Sequence, residues 1–159
     1  MTTTTEDASV VLTDAELNCK GHLETIKLWH EVHDWCCGNE DPNALSWPGR
    51  RFLIEEMDWA HDPDRDAVAE AIREQVLEDP LEVAVREDWH AIGEETEAAE
   101  FMILLSTGGP ALRLKGRLAD GEPTHAWLEH QNWGTPWTYY QAAADDALLW
   151  YASQFYWQE

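Results

Sequence analysis

Apolar residues recur at helical spacing in the first half of the chain and at strand spacing in the second half. A first helix is predicted from Thr13, which forms a capping-box pattern with Glu16, to about Cys37. After a loop through Gly38, a shorter second helix is predicted. A third helix follows, which is capped by Asp64 or Asp66 and ends before Pro80. Their apolar positions are Phe52, Leu53, Ile54 and Met57 in the second helix, and Val68, Ala71, Ile72, Val76 and Leu77 in the third.

Beyond Pro80 the period changes to two, which predicts strands at 81–86, 101–105, 112–117 and 124–131. The segment 107–110 turns the second strand into the third, and Asp120-Gly121 is typical of a tight hairpin before the fourth. We expect Pro136 in the first turn of a last helix. The buried side of that helix is predicted to hold Leu148, Leu149, Ala152, Phe155 and Tyr156. The expected fold class is α+β: N-terminal helices, an antiparallel sheet of about four strands, and a C-terminal helix packed on the sheet.

Length and composition favour one folded domain. With 159 residues, 44% hydrophobic content and ten Trp, the chain can bury a substantial core. We expect a flexible leader at 1–12 and a single acidic domain at 13–159. No run approaches the roughly 18 to 20 apolar residues of a membrane span, and three cysteines do not form a disulfide framework. A cytoplasmic protein without membrane contact is expected.

The negative charge is unevenly distributed. The formal net charge is −22, and the stretch from Glu55 to Glu100 holds seventeen acidic residues against three basic ones. Such a charge repels nucleic acid and anionic membranes and favours basic partners. Two other interpretations exist. A run of acidic residues is often only a solvated face. Adaptation to high salt is the other, but it would spread acidic residues over the whole surface. Because the acids are clustered, we interpret them as a binding site.

Four of these acids, Asp66, Glu70, Glu74 and Glu78, are spaced four residues apart and would form a row with about 6 Å between neighbours. That repeat is close to the spacing of phosphates along a nucleic-acid strand. Like charges at this spacing destabilise a helix by roughly 0.2 to 0.5 kcal/mol per pair, which favours a row selected for binding. The predicted partner-binding residues are Asp58, Asp62, Asp64, Asp66, Glu70, Glu74, Glu78, Glu87, Asp88, Glu94, Glu95, Trp133 and Trp137.

Other chemistry is weakly indicated. His33 has the spacing to share a metal ion with Cys36 or Cys37, yet Cys19 and His22 lie two or more turns away on the same helix, and the same positions form a packing seam. Whether this group binds metal stays open. No nucleophile elbow or phosphate-binding loop is present, so we expect no catalytic residues, no cofactor and no metal. The basic row formed by Arg113, Lys115 and Arg117 is expected on the solvent side of a strand, paired with Glu129 or Glu82.

The segment from Leu81 to Tyr156 resembles a family of small uncharacterised acidic proteins encoded on bacterial phages and other mobile elements. The residues that carry the resemblance are Thr107-Gly108-Gly109-Pro110-Ala111, Arg113, Trp127-Leu128-Glu129, Gln131 and Trp133-Gly134-Thr135-Pro136-Trp137. The resemblance implies a mobile-element setting, in which small acidic anti-CRISPR and anti-restriction proteins are common. It supplies no site residues.

Together, these patterns predict a non-enzymatic inhibitor that mimics DNA and blocks the basic DNA-binding surface of a host defence complex. A CRISPR effector is the first target class and a restriction enzyme the second, and no direct contact with nucleic acid is expected. The alternative is an acidic adaptor or antitoxin-like protein that binds a basic partner through Trp-rich loops without imitating DNA. Nothing in the pattern sets the target or the oligomeric state.

Overall fold

The computed structural model describes residues 12–38, 44–56, 64–141 and 145–158. The predicted leader, except for Leu12, and the site candidates Asp58 and Asp62 lie outside these residues. In chain order, the elements are α1 (Asp14–Gly38), α2 (Trp47–Glu55), α3 (Arg65–Glu78), β1 (Glu82–Glu87), β2 (Ala98–Ser106), β3 (Ala111–Ala119), β4 (Glu122–Gln131), β5 (Thr138–Tyr140) and α4 (Asp145–Ser153). The predicted α+β class is confirmed.

α1 begins with the capping box that the sequence predicts. The Glu16 amide donates to the Thr13 hydroxyl at 3.2 Å, and the Thr13 amide donates to the Glu16 carboxylate at 2.8 Å. These bonds satisfy N–H groups that lack partners within the helix, and the bond from the Thr13 amide is the largest cause of the lowered pKa of Glu16. One side of α1 is buried, at Ala15, Cys19, Leu23, Ile26, Trp29, Val32 and Trp35.

α2 is joined to α1 through its cap. The Ser46 hydroxyl accepts from the Gly49 amide at 3.2 Å and donates to the Glu31 carboxylate of α1 at 2.8 Å. Only one side of this short helix is covered: Leu53 is fully buried, whereas Ile54, which the sequence assigns to the apolar set, is exposed.

The five strands form one antiparallel sheet in the order β1-β2-β3-β4-β5. Asp120 and Gly121 have positive φ angles of 53° and 75° and form the two-residue hairpin predicted between β3 and β4. The sheet has one strand more than the sequence indicates. β5 pairs with β4 over three residues, too short a run for a periodic signal to register.

One face of the sheet lies against the helices. α4 packs on β4, while α1 contacts α3, α4 and the strands β3 and β4. The covered face contributes Phe101, Ile103, Leu105, Leu112, Leu114, Leu118, Ala126 and Leu128 to the core. Tyr151 of α4 is fully buried and stacks on Trp29 of α1, with ring centroids 6.4 Å apart. The other face of the sheet is formed by half-buried and exposed side chains.

The C-terminal segment departs from the prediction in two respects. Pro136 lies in the loop before β5 and does not begin a helix. α4 ends at Ser153, so Phe155 and Tyr156 follow the helix, and Tyr156 is exposed where a buried residue was predicted. Trp157 takes the buried position instead, with its ring centroid 4.8 Å from that of Phe101. Among the described residues, no helix is both long and apolar enough to cross a lipid bilayer.

Candidate protein-interaction surface

The four acids predicted as a row lie on the exposed side of α3. Asp66, Glu70, Glu74 and Glu78 are all exposed, while the opposite side of the helix is buried through Val68, Ile72 and Val76. Within the described part of the chain, the carboxylates of Glu70, Glu74 and Glu78 form no ion pair or hydrogen bond with another residue. We call these four residues the α3 carboxylate row. Its charges are therefore available to a partner.

Both ends of α3 are held in place. At the N-terminus, Asp64 acts as the cap and accepts from the Asp66 amide at 3.1 Å; this predicted site residue thus has a structural role. The Arg65 guanidinium lies 4.1 Å from the centroid of the Trp35 ring of α1, a cation–π contact. At the C-terminal end, the Tyr151 hydroxyl donates to Asp79 at 2.6 Å. The carboxylate row is consequently carried on a fixed helix.

The second group of predicted acids lies at the other end of β1. Glu87 ends this strand, and Asp88, Glu94 and Glu95 lie in the loop that joins β1 to β2; all four are exposed. β1 lies between the Glu78 end of the carboxylate row and Glu87, and the strand spans roughly 17 Å from its first residue to its last. Glu87 and Asp88 line an open groove of about 1220 Å³. The acids thus form two areas at either end of β1.

The position of Trp89 in the sequence predicts a core or half-buried side chain within a regular element, but Trp89 lies in the loop after β1 and lines this groove. Its exposed fraction is 104%, and Ile92 in the same loop is equally exposed. Trp157 and Gln158 also line the groove. The apolar content of the loop is visible in the sequence, but its full exposure follows from the tertiary structure.

The two predicted tryptophan anchors differ in availability. Trp133 is 80% exposed, and its indole lies over Gly109, where an added Cβ would overlap the ring. Trp137 is half-buried and lies beneath Arg113, whose guanidinium is 4.1 Å from the ring centroid. Trp133 can therefore offer a ring face to a partner, whereas Trp137 is already engaged.

Basic residues gather on the sheet face that points away from the core. The register places Arg86, Arg113, Lys115 and Arg117 there, four of the ten basic residues in the chain. The predicted pairing of Arg113 with Glu129 is confirmed at 2.6 Å. Burial acts to raise the pKa of Glu129, but hydrogen bonds from Trp127 and Arg113 outweigh it and the pKa is lowered. The outer face of the sheet thus carries basic side chains, two of which, Arg86 and Arg113, are paired with glutamates of the same face.

His30, His33, Cys19 and Cys36 of α1 are packed against other side chains, whereas Cys37 is exposed. The rings of His30 and His33 both lie 5.2 Å from that of Trp150, and burial lowers the pKa of His33. Burial also raises the pKa of Cys36 to about 11 and that of Cys19 to about 12. These thiols stay protonated near neutral pH and are poor nucleophiles. In the described ranges, no three His, Cys, Asp or Glu side chains are grouped to hold a metal ion.

Comparisons of the chain with protein-family models, with curated proteins and with solved structures gave no match. The resemblance to mobile-element proteins therefore stays a hypothesis, and the surface itself is the basis for a proposed function.

Proposed function

We propose that this protein is a non-enzymatic inhibitor that acts in the host cytoplasm by occupying the basic DNA-binding surface of a bacterial defence complex. A CRISPR effector is the first target class, and a restriction enzyme is the second. The observation that supports this most is the carboxylate row of α3. Four carboxylates are exposed on one side of a single helix, and three of them have no partner among the described residues.

The spacing of the row matches the chemistry of such a target. Neighbouring carboxylates follow each other at about 6 Å along the helix axis, so the row presents negative charges at regular intervals, as a nucleic-acid strand does. Proteins that grip DNA place Lys and Arg against regularly spaced phosphates. The same cations can pair with the carboxylate row, which would then exclude DNA from the cleft.

The fixed position of α3 adds to the expected affinity. Because the Arg65–Trp35 contact and the Tyr151–Asp79 hydrogen bond hold the two ends of the helix, little backbone order has to be gained on binding. The net charge of −22 should also accelerate the encounter with a basic partner. Binding is expected to be fast and to weaken as salt is added.

An acidic adaptor remains a second candidate, because Trp89 and Trp133 are exposed on loops. Trp133 and Trp89 offer aromatic surface next to acidic or polar loops, and such residues are common anchors in protein interfaces. An adaptor of this kind would bind a basic partner mainly through these rings. Replacing Trp133 by Ala would then weaken binding more than neutralising the carboxylate row.

A competition assay tests the proposal. The protein is titrated into a panel of purified CRISPR effector complexes and restriction enzymes, each bound to labelled target DNA, and the displaced DNA is measured by fluorescence anisotropy. We expect displacement from at least one complex at near-stoichiometric protein. DNA binding that stays undisturbed across the panel would contradict the proposal.

Two variants separate the carboxylate row from net charge. One carries D66N, E70Q, E74Q and E78Q; its matched control carries E24Q, E56Q, E97Q and E122Q, all at exposed positions. Both lose four negative charges. We expect the first to lose displacement and the second to keep most of it, and equal losses would show that only net charge matters.

A further inference from the structure

Among the described residues, β1 is an edge strand with no strand on its outer side, and its pairing with β2 is regular from Glu82 to Arg86. The sheet order places β1 at one end and β5 at the other. β5 has three residues and therefore few backbone groups with which another strand could pair, whereas β1 has six residues. Exposed edges present unpaired N–H and C=O groups, and proteins commonly blunt them by shortening, twisting or covering the strand.

The core-side residues of β1 extend beyond the helical layer. Val83 is opposite Ile103 and Val85 is opposite Phe101 in the register with β2. Ile103 and Phe101 are buried, yet Val83 and Val85 are 43% and 44% exposed. Leu81, just before the strand, is also exposed. The edge therefore presents apolar surface as well as free backbone groups.

On the other face of the sheet, a row of alternating charges ends at this edge. Arg117 of β3 is opposite Glu100 of β2, and Glu100 is opposite Arg86 of β1 and forms an ion pair with it. The Arg86 side chain is 72% exposed. The row thus ends on the cationic side chain of Arg86, which has no strand on its outer side. A carboxylate on a further strand, opposite Arg86, would continue the alternation of positive and negative charges.

We propose that two copies of this chain pair through β1, antiparallel and edge to edge, about a two-fold axis at Ala84. In this register Glu82 of each copy faces Arg86 of the other, and Val83 faces Val85. Opposite charges and apolar side chains placed directly across a pair of strands stabilise it. The result is a continuous ten-stranded sheet in which the charge row runs on into the second copy.

The neighbouring two-fold registers are less favourable. An axis at Val83 would leave Glu82 opposite Ala84, and an axis at Val85 would place Glu82 opposite Asp88, where like charges repel. Only the axis at Ala84 places Glu82 and Arg86 opposite each other, and Glu87, the third charged residue of β1, then lies opposite Leu81. The strand Glu82-Val83-Ala84-Val85-Arg86 is self-complementary in this sense.

The charge of the whole molecule opposes the contact. Each copy has a formal net charge of −22, so screening should favour association. The Debye length falls from about 10 Å to about 3 Å between about 0.1 M and 1 M salt. We therefore expect the dimer fraction to rise over this range. Binding to a defence complex is expected to weaken as salt is added, so the two salt dependences have opposite signs. The proposed dimer does not rest on the proposed inhibitory function.

Sedimentation velocity with complementary charge variants tests the pairing. E82R places Arg opposite Arg in a homodimer, and R86E places Glu opposite Glu. Each variant alone should dimerise about tenfold or more weakly than wild type, because two attractive cross-strand pairs become repulsive. An equimolar mixture restores both attractive pairs between the copies, so a heterodimer should form more tightly than either variant dimerises alone, although R86E also loses the ion pair with Glu100 in its own copy.

E24R is the matched control, since it makes the same change in charge as E82R at an exposed position on α1, and it should dimerise at least as well as wild type. A wild-type chain that stays monomeric at every salt concentration would overturn the proposal. So would single variants that dimerise normally, a mixture that forms no heterodimer, or a wild-type series of species larger than dimers. Circular dichroism confirms that each variant is folded.

Discussion

The Tyr151 hydroxyl donates a 2.6 Å hydrogen bond to the carboxylate of Asp79, which links α4 to the end of α3 across 72 residues of sequence. Tyr151 is fully buried, and burial, followed by this bond, strongly raises the pKa of its hydroxyl. The bond fixes the end of the helix that carries the carboxylate row. Local packing of the core thus determines where the surface charges lie.

Removing this hydroxyl should destabilise the protein. Tyr151→Phe keeps the ring but leaves the Asp79 carboxylate without its partner, which costs about 1 to 3 kcal/mol. Urea denaturation followed by circular dichroism measures the change. Tyr156→Phe is the matched control, because Tyr156 is exposed, and it should leave the midpoint unchanged. An equal effect of the two variants would show that the bond contributes nothing.

Two Gly→Ala substitutions should have opposite effects. A Cβ at Gly116 of β3 would overlap the Phe101 ring and the His125 carbonyl oxygen, so Gly116→Ala should destabilise by about 1 to 3 kcal/mol. Gly21 lies within α1 with open space around it. There Ala restores helix propensity and should stabilise by about 0.5 to 1 kcal/mol. Thermal denaturation distinguishes the two signs, and equal signs would contradict the packing described here.

Glu129 should make the stability depend on pH. Its pKa is lowered in the folded protein, so its contribution is present above the ordinary Glu pKa and is lost as the pH falls through the folded value. Glu129→Gln removes this titration. The difference in unfolding free energy between wild type and variant should therefore shrink at acidic pH. A difference that stays constant from neutral to acidic pH would exclude this role.

The three cysteines should react at different rates. Cys19 is buried and Cys36 half-buried, and burial raises their pKa values to about 12 and about 11. Cys37 is exposed. At about pH 8, close to the ordinary thiol pKa, iodoacetamide should modify Cys37 first, and denaturant should make all three react. Mass spectrometry identifies the modified residue, and rapid labelling of Cys19 in the native protein would contradict its burial.

Much of the fold is local in origin and could be predicted from sequence. The Thr13–Glu16 capping box and the Asp120-Gly121 turn depend on residues a few positions apart, and both are confirmed. β5 and the burial of Trp157 depend on distant partners, so periodicity does not reveal them. Alternation placed Val83 and Val85 on one face of β1. It could not show that the helical layer leaves that face exposed.

The candidate site was predictable to a similar extent. Helical spacing gave the carboxylate row, because i to i+4 neighbours always share a side of a helix. Sequence left the cap open between Asp64 and Asp66, and the structure assigns it to Asp64. Sequence could not show that Trp137 is held beneath Arg113, or that Trp89 is fully exposed. Each of these depends on how elements pack.

The inhibitory role of the carboxylate row is tested most directly by measuring DNA displacement from the defence complex that the panel identifies, at several salt concentrations. Three proteins are compared: wild type, the D66N/E70Q/E74Q/E78Q variant and the E24Q/E56Q/E97Q/E122Q control. We expect wild type and control to displace DNA with affinities that fall as salt rises, and we expect the carboxylate-row variant to displace no DNA at any salt. Full displacement by that variant would contradict the claim that α3 forms the inhibitory surface.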